Sequence, residues 1–203
     1  YVNAIALTRD GRCALSGSED NTMKLWQTAT GKEIRTFTGH TYGATSLAIT
    51  PDGRFAISGS RDHTLKLWEI ATGKAVRIFE GHTDGVCAVT ITPDGKFALS
   101  GSEDETMKLW SIATGQEIRT LSGHTARVHT VAITPNGRFA ISGSRDDTLK
   151  LWEIATGNEI GSFTGHSGGV NTISITPDGR YALSGSEDST LKLWEFDWAW
   201  EFA

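Results

Sequence analysis

From Thr22 to Trp26 the side chains alternate, with Met23 and Leu25 to one side and Lys24 and Trp26 to the other. That period of two is the pattern of a half-buried strand. Val2–Thr8 is mostly apolar and predicts a short inner strand, and Cys13–Ser18 a second. Glu33–Thr38 is more polar, as suits an outer edge. Between these runs stand Arg9-Asp10-Gly11-Arg12, Glu19-Asp20-Asn21 and Thr28-Ala29-Thr30-Gly31, in which Asp tolerates a bend and Gly supplies positive φ. No stretch carries a competing helical period. Short strands separated by turns at this spacing predict an all-β protein.

The pattern repeats. SGSEDNTMKLW, ending at Trp26, returns as SGSRDHTLKLW at Trp68, SGSEDETMKLW at Trp110, SGSRDDTLKLW at Trp152 and SGSEDSTLKLW at Trp194, a constant period of 42 residues. Such a period means a repeat architecture. Residues 1–203 are expected to form a single domain with units at about 1–38, 43–80, 85–122, 127–164 and 169–203. Pro51, Pro93, Pro135 and Pro177 stand just before the first turn of their units, where a missing N–H costs the ladder nothing. The residue before each turn aspartate runs Glu19, Arg61, Glu103, Arg145, Glu187, so the true period is a pair of units. Joining the last unit to the first would set Glu187 beside Glu19. The last unit departs from the plan: Phe196, Trp198, Trp200 and Phe202 alternate with Glu195, Asp197, Ala199 and Glu201. This predicts either a fourth strand laid over the last sheet or an aromatic patch that docks another chain.

Composition narrows the function. The net charge is −5 with both signs interleaved, and no basic surface of the kind that displaces counterions from nucleic acid is evident. No apolar run approaches the roughly 20 residues that span a bilayer, and with no charged-then-apolar segment in this sequence, which begins inside a repeat, no secretory signal is expected within it. Neither nucleic acid nor membrane is therefore expected as a partner. Cys13 and Cys87 fall at unmatched repeat positions, which predicts two buried free thiols and a cytoplasmic, reducing location.

Serine, histidine and aspartate invite a hydrolase reading. The sets are His40, Ser58 and Asp62; His82, Ser100 and Asp104; His124, Ser142 and Asp146; and His166, Ser184 and Asp188. A catalytic site is built once, beside an oxyanion hole and a cleft. Four copies, each with a tryptophan six residues after the aspartate (Trp68, Trp110, Trp152, Trp194), predict scaffolding. The aspartate can accept from the imidazole, and the serine hydroxyl from the indole N–H. The first unit has Ser16, Asp20 and Trp26 but no histidine before it. Histidines a full repeat apart do not suit a metal, and no phosphate-binding glycine loop is present, so no cofactor is expected. His63 and His129 lie outside the Gly-His pairs, either as exposed turn residues or as ligand contacts.

Gly39-His40, Gly81-His82, Gly123-His124 and Gly165-His166, the TPDG turn, SGS-x-D and a strand ending in Leu-Trp together resemble the WD-repeat β-propeller family over essentially the whole chain. The Trp-Asp that usually ends the third strand is Trp-Glu, Trp-Gln or Trp-Ser here. The resemblance implies a β-propeller of five four-stranded antiparallel blades, closed or as an arc of a larger or intermolecular ring. Most such proteins close with seven blades; five would open each wedge from about 51° to about 72°. With no first Gly-His, this suggests a piece of a longer array, or a homo-oligomer if five blades do not close. The resemblance also makes each Asp-His-Ser-Trp set a structural hydrogen-bonded tetrad. It implies a rigid platform binding a protein or peptide on the Gly-His loop face. The variable ring there would comprise Tyr1, Asn3, Glu19, Tyr42, Thr45, Arg61, Cys87, Glu103, Arg127, His129, Arg145, Asn171 and Glu187. Arg127, His129 and Arg145 would suit an acidic or phosphorylated peptide, unless the arginines simply pair with Glu103 and Glu187. Two alternatives stay open: a regulatory or sensor propeller cut from a larger bacterial signalling protein, and a designed or minimal propeller without a natural ligand.

Overall fold

The computed structural model describes residues 1–196. The first sheet holds β1 (Val2–Leu7), β2 (Cys13–Ser18), β3 (Thr22–Gln27) and β4 (Glu33–Thr38). The second holds β5 (Ala44–Ile49), β6 (Phe55–Ser60), β7 (Leu65–Glu69) and β8 (Ala75–Phe79). The third holds β9 (Val86–Ile91), β10 (Phe97–Ser102), β11 (Thr106–Ser111) and β12 (Glu117–Ser122). The fourth holds β13 (Val128–Ile133), β14 (Phe139–Ser144), β15 (Leu149–Glu153) and β16 (Glu159–Phe163). The fifth has β17 (Val170–Ile175), β18 (Tyr181–Ser186) and β19 (Leu191–Glu195). All pairings are antiparallel and follow chain order. The fourth strand expected of the last unit, with Trp198, Trp200 and Phe202, lies outside the described residues. Phe196 is described, and packs edge-on against Phe163 at 5.6 Å.

The sheets stack through their faces, with β1, β5, β9, β13 and β17 as neighbours. One sheet cannot bury both its faces, so the core lies between sheets. Leu15, Met23, Leu25 and Phe37 of the first unit close over Ala44, Ala56 and Trp68 of the second. The same arrangement recurs at each following junction. The last strands, β4, β8 and β12, keep alternating exposed residues as outer edges. The stack is an arc, not a closed ring: Val2, Ile5 and Leu7 at one end and Leu183, Leu191 and Leu193 at the other are exposed.

Two local devices set up the loop face. The turn between the second and third strand of every unit contains a non-glycine residue at positive φ: Asn21, His63, Glu105, Asp147 and Ser189. His63 is thus an exposed turn residue, with its ring nitrogen 3.8 Å from Asp84. The ladder between the first two strands of each unit slips by one residue at its start. The bulged residues are Asn3, Thr45, Cys87, His129 and Asn171. A bulge re-aims a side chain, and these five belong to the expected ring.

Candidate functional site

Each complete unit brings its four chemically distinctive side chains into one chain of bonds. In the second unit Nδ1 of His40 meets the Asp62 carboxylate at 2.7 Å, Nε2 meets Ser58 Oγ at 2.7 Å, and the Trp68 indole donates to the same oxygen at 2.8 Å. His82, Asp104, Ser100 and Trp110 repeat this. So do His124, Asp146, Ser142 and Trp152, and His166, Asp188, Ser184 and Trp194. With the imidazole N–H given to the aspartate, the serine hydroxyl donates to Nε2 and accepts from the indole.

The order aspartate–histidine–serine is that of a hydrolase, but the surroundings oppose that chemistry. Ser58, Ser100, Ser142 and Ser184 are fully buried, so no substrate carbonyl can approach Oγ. The indole N–H occupies the lone pair that would attack. The aspartates are equally committed. Asp62 Oδ2 accepts from His40 and from the Thr41 N–H, and Oδ1 from the Thr64 N–H and hydroxyl. Thr64, Thr106, Thr148 and Thr190 are thus part of each unit's bond network, a role the sequence reading did not assign. Their recurrence two residues after each turn aspartate was the available signal. In the first unit Asp20 is exposed and bonds Thr22, while Trp26 donates to Ser16 at 2.8 Å.

These bonds give the units a pH response. Burial alone would raise Asp62, Asp104 and Asp146, but the donated hydrogen bonds outweigh it and hold all three below the usual carboxylate range. At Asp188 the Thr190 hydroxyl is the largest influence, and the net direction is again down. Burial also lowers His124, against the pull of Asp146. A carboxylate with a depressed folded value stabilises the fold above its unfolded value of about 3.9 and loses that contribution as pH falls through its folded value. A histidine held neutral contributes nothing above its unfolded value of about 6.5 and destabilises the fold as pH drops below it, because the unfolded chain then takes up the proton that the folded one refuses. Both act in one direction. The melting midpoint, followed by circular dichroism, is expected to fall as pH drops below about 6.5, through the histidine, and to fall further below about pH 4, through the aspartates; a midpoint that rises over either range contradicts the arrangement.

The expected ring divides. Tyr1, Tyr42, Arg61, Arg127, Arg145, Asn171, Glu19 and Glu187 are exposed. Arg127 reaches Glu103 at 3.1 Å and Arg61 lies 3.8 Å from Glu19. Arg145 forms no ion pair with Glu187 among the described residues. Asn3 donates to the Ala44 carbonyl at 3.2 Å and Thr45 to the Val86 carbonyl, so both polar groups serve the junction to the next unit. His129 is half-buried with Nε2 shielded and unpartnered. Cys87 and Cys13 are half-buried free thiols rather than the fully buried ones expected. Burial, reinforced by Glu103, pushes the Cys87 thiol up to about 12. No cluster of three or more metal-ligating side chains is found among the described residues. On the opposite face, furrows of about 380 and 500 Å³ run between successive TPDG turns, lined by Pro93 and Ile154 and by Pro51 and Ile112.

A family model described as "WD domain, G-beta repeat" matches residues 1–27, 31–69, 73–111, 115–153 and 157–195. Among curated proteins, the dynein assembly factor with WD repeat domains 1 of Homo sapiens and of Macaca fascicularis is 50% identical over 36 residues. The Mus musculus protein is 47% identical over the same length. Each match covers 18% of this chain and 9% of the relative.

Proposed function

Since this chain belongs to the WD-repeat family, we propose that it is a non-enzymatic platform that binds a protein or peptide on the face of its Gly-His loops. The carrying observation is where the polar groups are committed. The tetrads use their chemistry internally, while Tyr42, Arg61, Arg127, Arg145 and Asn171 remain exposed around one face on stiff strands. Holding contact residues rigidly lowers the ordering cost of association. Within the ring Arg145 forms no ion pair among the described residues, so an acidic or phosphorylated side chain is the ligand chemistry it fits. Free half-buried thiols accord with a reducing, cytoplasmic setting.

The test is selection from a displayed peptide library on the immobilised chain. Peptides enriched in Asp, Glu or phosphoserine are expected. Arg145→Ala with Tyr42→Ala should weaken the winner by about tenfold or more, the effect of losing a contact worth over about 1.4 kcal/mol. Lys96→Ala and Arg180→Ala on the opposite face should leave it unchanged. The reverse outcome moves the site to the TPDG furrows and ends this reading.

A further inference from the structure

We propose that β8, the outer edge of the second sheet, is a second docking site: an extended segment of a partner protein pairs along it as a fifth strand and presents a carboxylate to Lys66. The site uses none of the ring residues on the loop face, and the inference is independent of that reading.

The outer strands of the first, third and fourth units guard their edges with charge. Glu33 accepts from Lys24 at 2.5 Å and from Thr36 at 2.6 Å. Glu117 accepts from Lys108 at 2.9 Å and from Thr120 at 2.6 Å, and Glu159 accepts from Lys150 at 2.8 Å. An edge strand offers unpaired N–H and C=O groups, and charge on it deters a further strand. The second unit keeps the lysine and loses the rest. Ala75 stands where the glutamates stand, and Ile78 where Thr36 and Thr120 stand. Lys66 forms no ion pair and no side-chain hydrogen bond among the described residues.

The neighbouring units show where a carboxylate belongs. A Cβ at Gly81 would meet Glu117 Oε2 at 3.0 Å, and one at Gly123 would meet Glu159 Oε2 at 2.8 Å. At Gly39 the corresponding contacts are with the Trp68 ring alone, at 3.1 and 3.6 Å. A slot for a carboxylate thus lies between Gly39, Trp68 and Lys66. Ile78 is paired directly opposite Lys66, so the two share a face of the sheet. Ile78 is 48% exposed and Val76 47%. β8 therefore shows two exposed β-branched residues, where β4 and β12 each show one exposed apolar residue, Ile34 and Ile118. Its only strand partner is β7. Lys74 and Glu80, at its two ends, are exposed and opposite in sign, which leaves Lys66 to set the charge preference. These features fit strand addition, in which main-chain bonds supply affinity and alternate side chains supply specificity. The partner segment places Glu or Asp against Lys66 and β-branched residues against Val76 and Ile78.

The test is selection from a displayed library of random heptapeptides on the immobilised chain, with the winners then sorted on variants. Ala75→Glu with Ile78→Thr gives the second unit the network of the first and third. Both positions are exposed, so circular dichroism should show this variant folded as the parent. Peptides held at β8 should carry Asp or Glu between β-branched residues and bind this variant about tenfold or more weakly. Lys66→Gln should weaken them about three- to fivefold, the effect of one partly exposed ion pair. Arg145→Ala with Tyr42→Ala should leave them unchanged. Peptides held on the loop face should show the reverse, so either reading can fail alone. With a β8 winner bound, hydrogen exchange should slow across β8 and not across β4 or β12. The proposal is overturned if no winner is weakened by Ala75→Glu with Ile78→Thr, if Lys66→Gln spares those that are, or if the protection falls on another edge. Self-association of the parent in sedimentation that the double variant abolishes also overturns it, because the occupant is then a second copy.

Discussion

Replacing Trp110 by alanine is expected to destabilise the chain by about 3–5 kcal/mol, the range for deleting a buried large aromatic. The ring is fully buried. Its edge lies against Phe79 and His82, each with its ring centre 5.9 Å away. Its N–H is committed to Ser100 at 2.8 Å. The deletion therefore opens a cavity between two sheets and strips Ser100 of a donor in the same step. Trp26→Ala should cost much less, no more than about 2 kcal/mol. Trp26 keeps its bond to Ser16 and the Lys24 ammonium 5.8 Å from its ring centre, but it is half-buried, with no Gly-His pair before it. Urea unfolding of the two variants beside the parent decides the matter. Equal losses would mean that the indole's own sheet, not its neighbour, supplies the stability.

The strands were legible because each unit carries the same alternation and the same turn residues, so five copies voted for one boundary. Val2–Thr8 was expected and Val2–Leu7 is found; Thr22–Trp26 was expected and Thr22–Gln27 is found. The bulge was not legible. Asn3, Thr45, Cys87, His129 and Asn171 have no side-chain type common to all five positions, since a bulge constrains backbone pairing rather than side-chain type. For the same reason the sequence could place Asn3 and Thr45 in a ring but could not show that they bond the neighbouring backbone. The charge alternation was readable as a pattern, yet its partners were only partly those expected. Arg127 does pair with Glu103. Arg145 and Glu187 form no ion pair among the described residues; an exposed pair gains little over water, so nothing compels two long side chains to meet. Whether the ring closes was beyond the repeat altogether. Identical units specify the junction but not the number of junctions, and only the exposed end faces reveal the arc.

The junction itself makes the second large prediction. Gly101→Ala should destabilise the fold by about 1–3 kcal/mol, the usual cost of forcing an extra group into a filled core. Its Cβ would lie 2.7 Å from Val128 Cγ1 and 3.1 Å from Val131 Cγ1. Valine has few rotamers to yield, and Val128 sits on a strand pinned on both sides. Gly59 and Gly143 face valines at 2.6 Å and should respond alike. Gly185→Ala meets only Thr172 Cγ2 at 3.0 Å and Leu191 Cδ2 at 3.2 Å, on exposed side chains that can move. Its thermal midpoint at low protein concentration should therefore match the parent's. The two glycines are chemically equivalent in sequence and differ only in whether a neighbour is seated. If Gly101→Ala is as stable as the parent, the sheets are not held by this fit at all, and the junctions need a different cause.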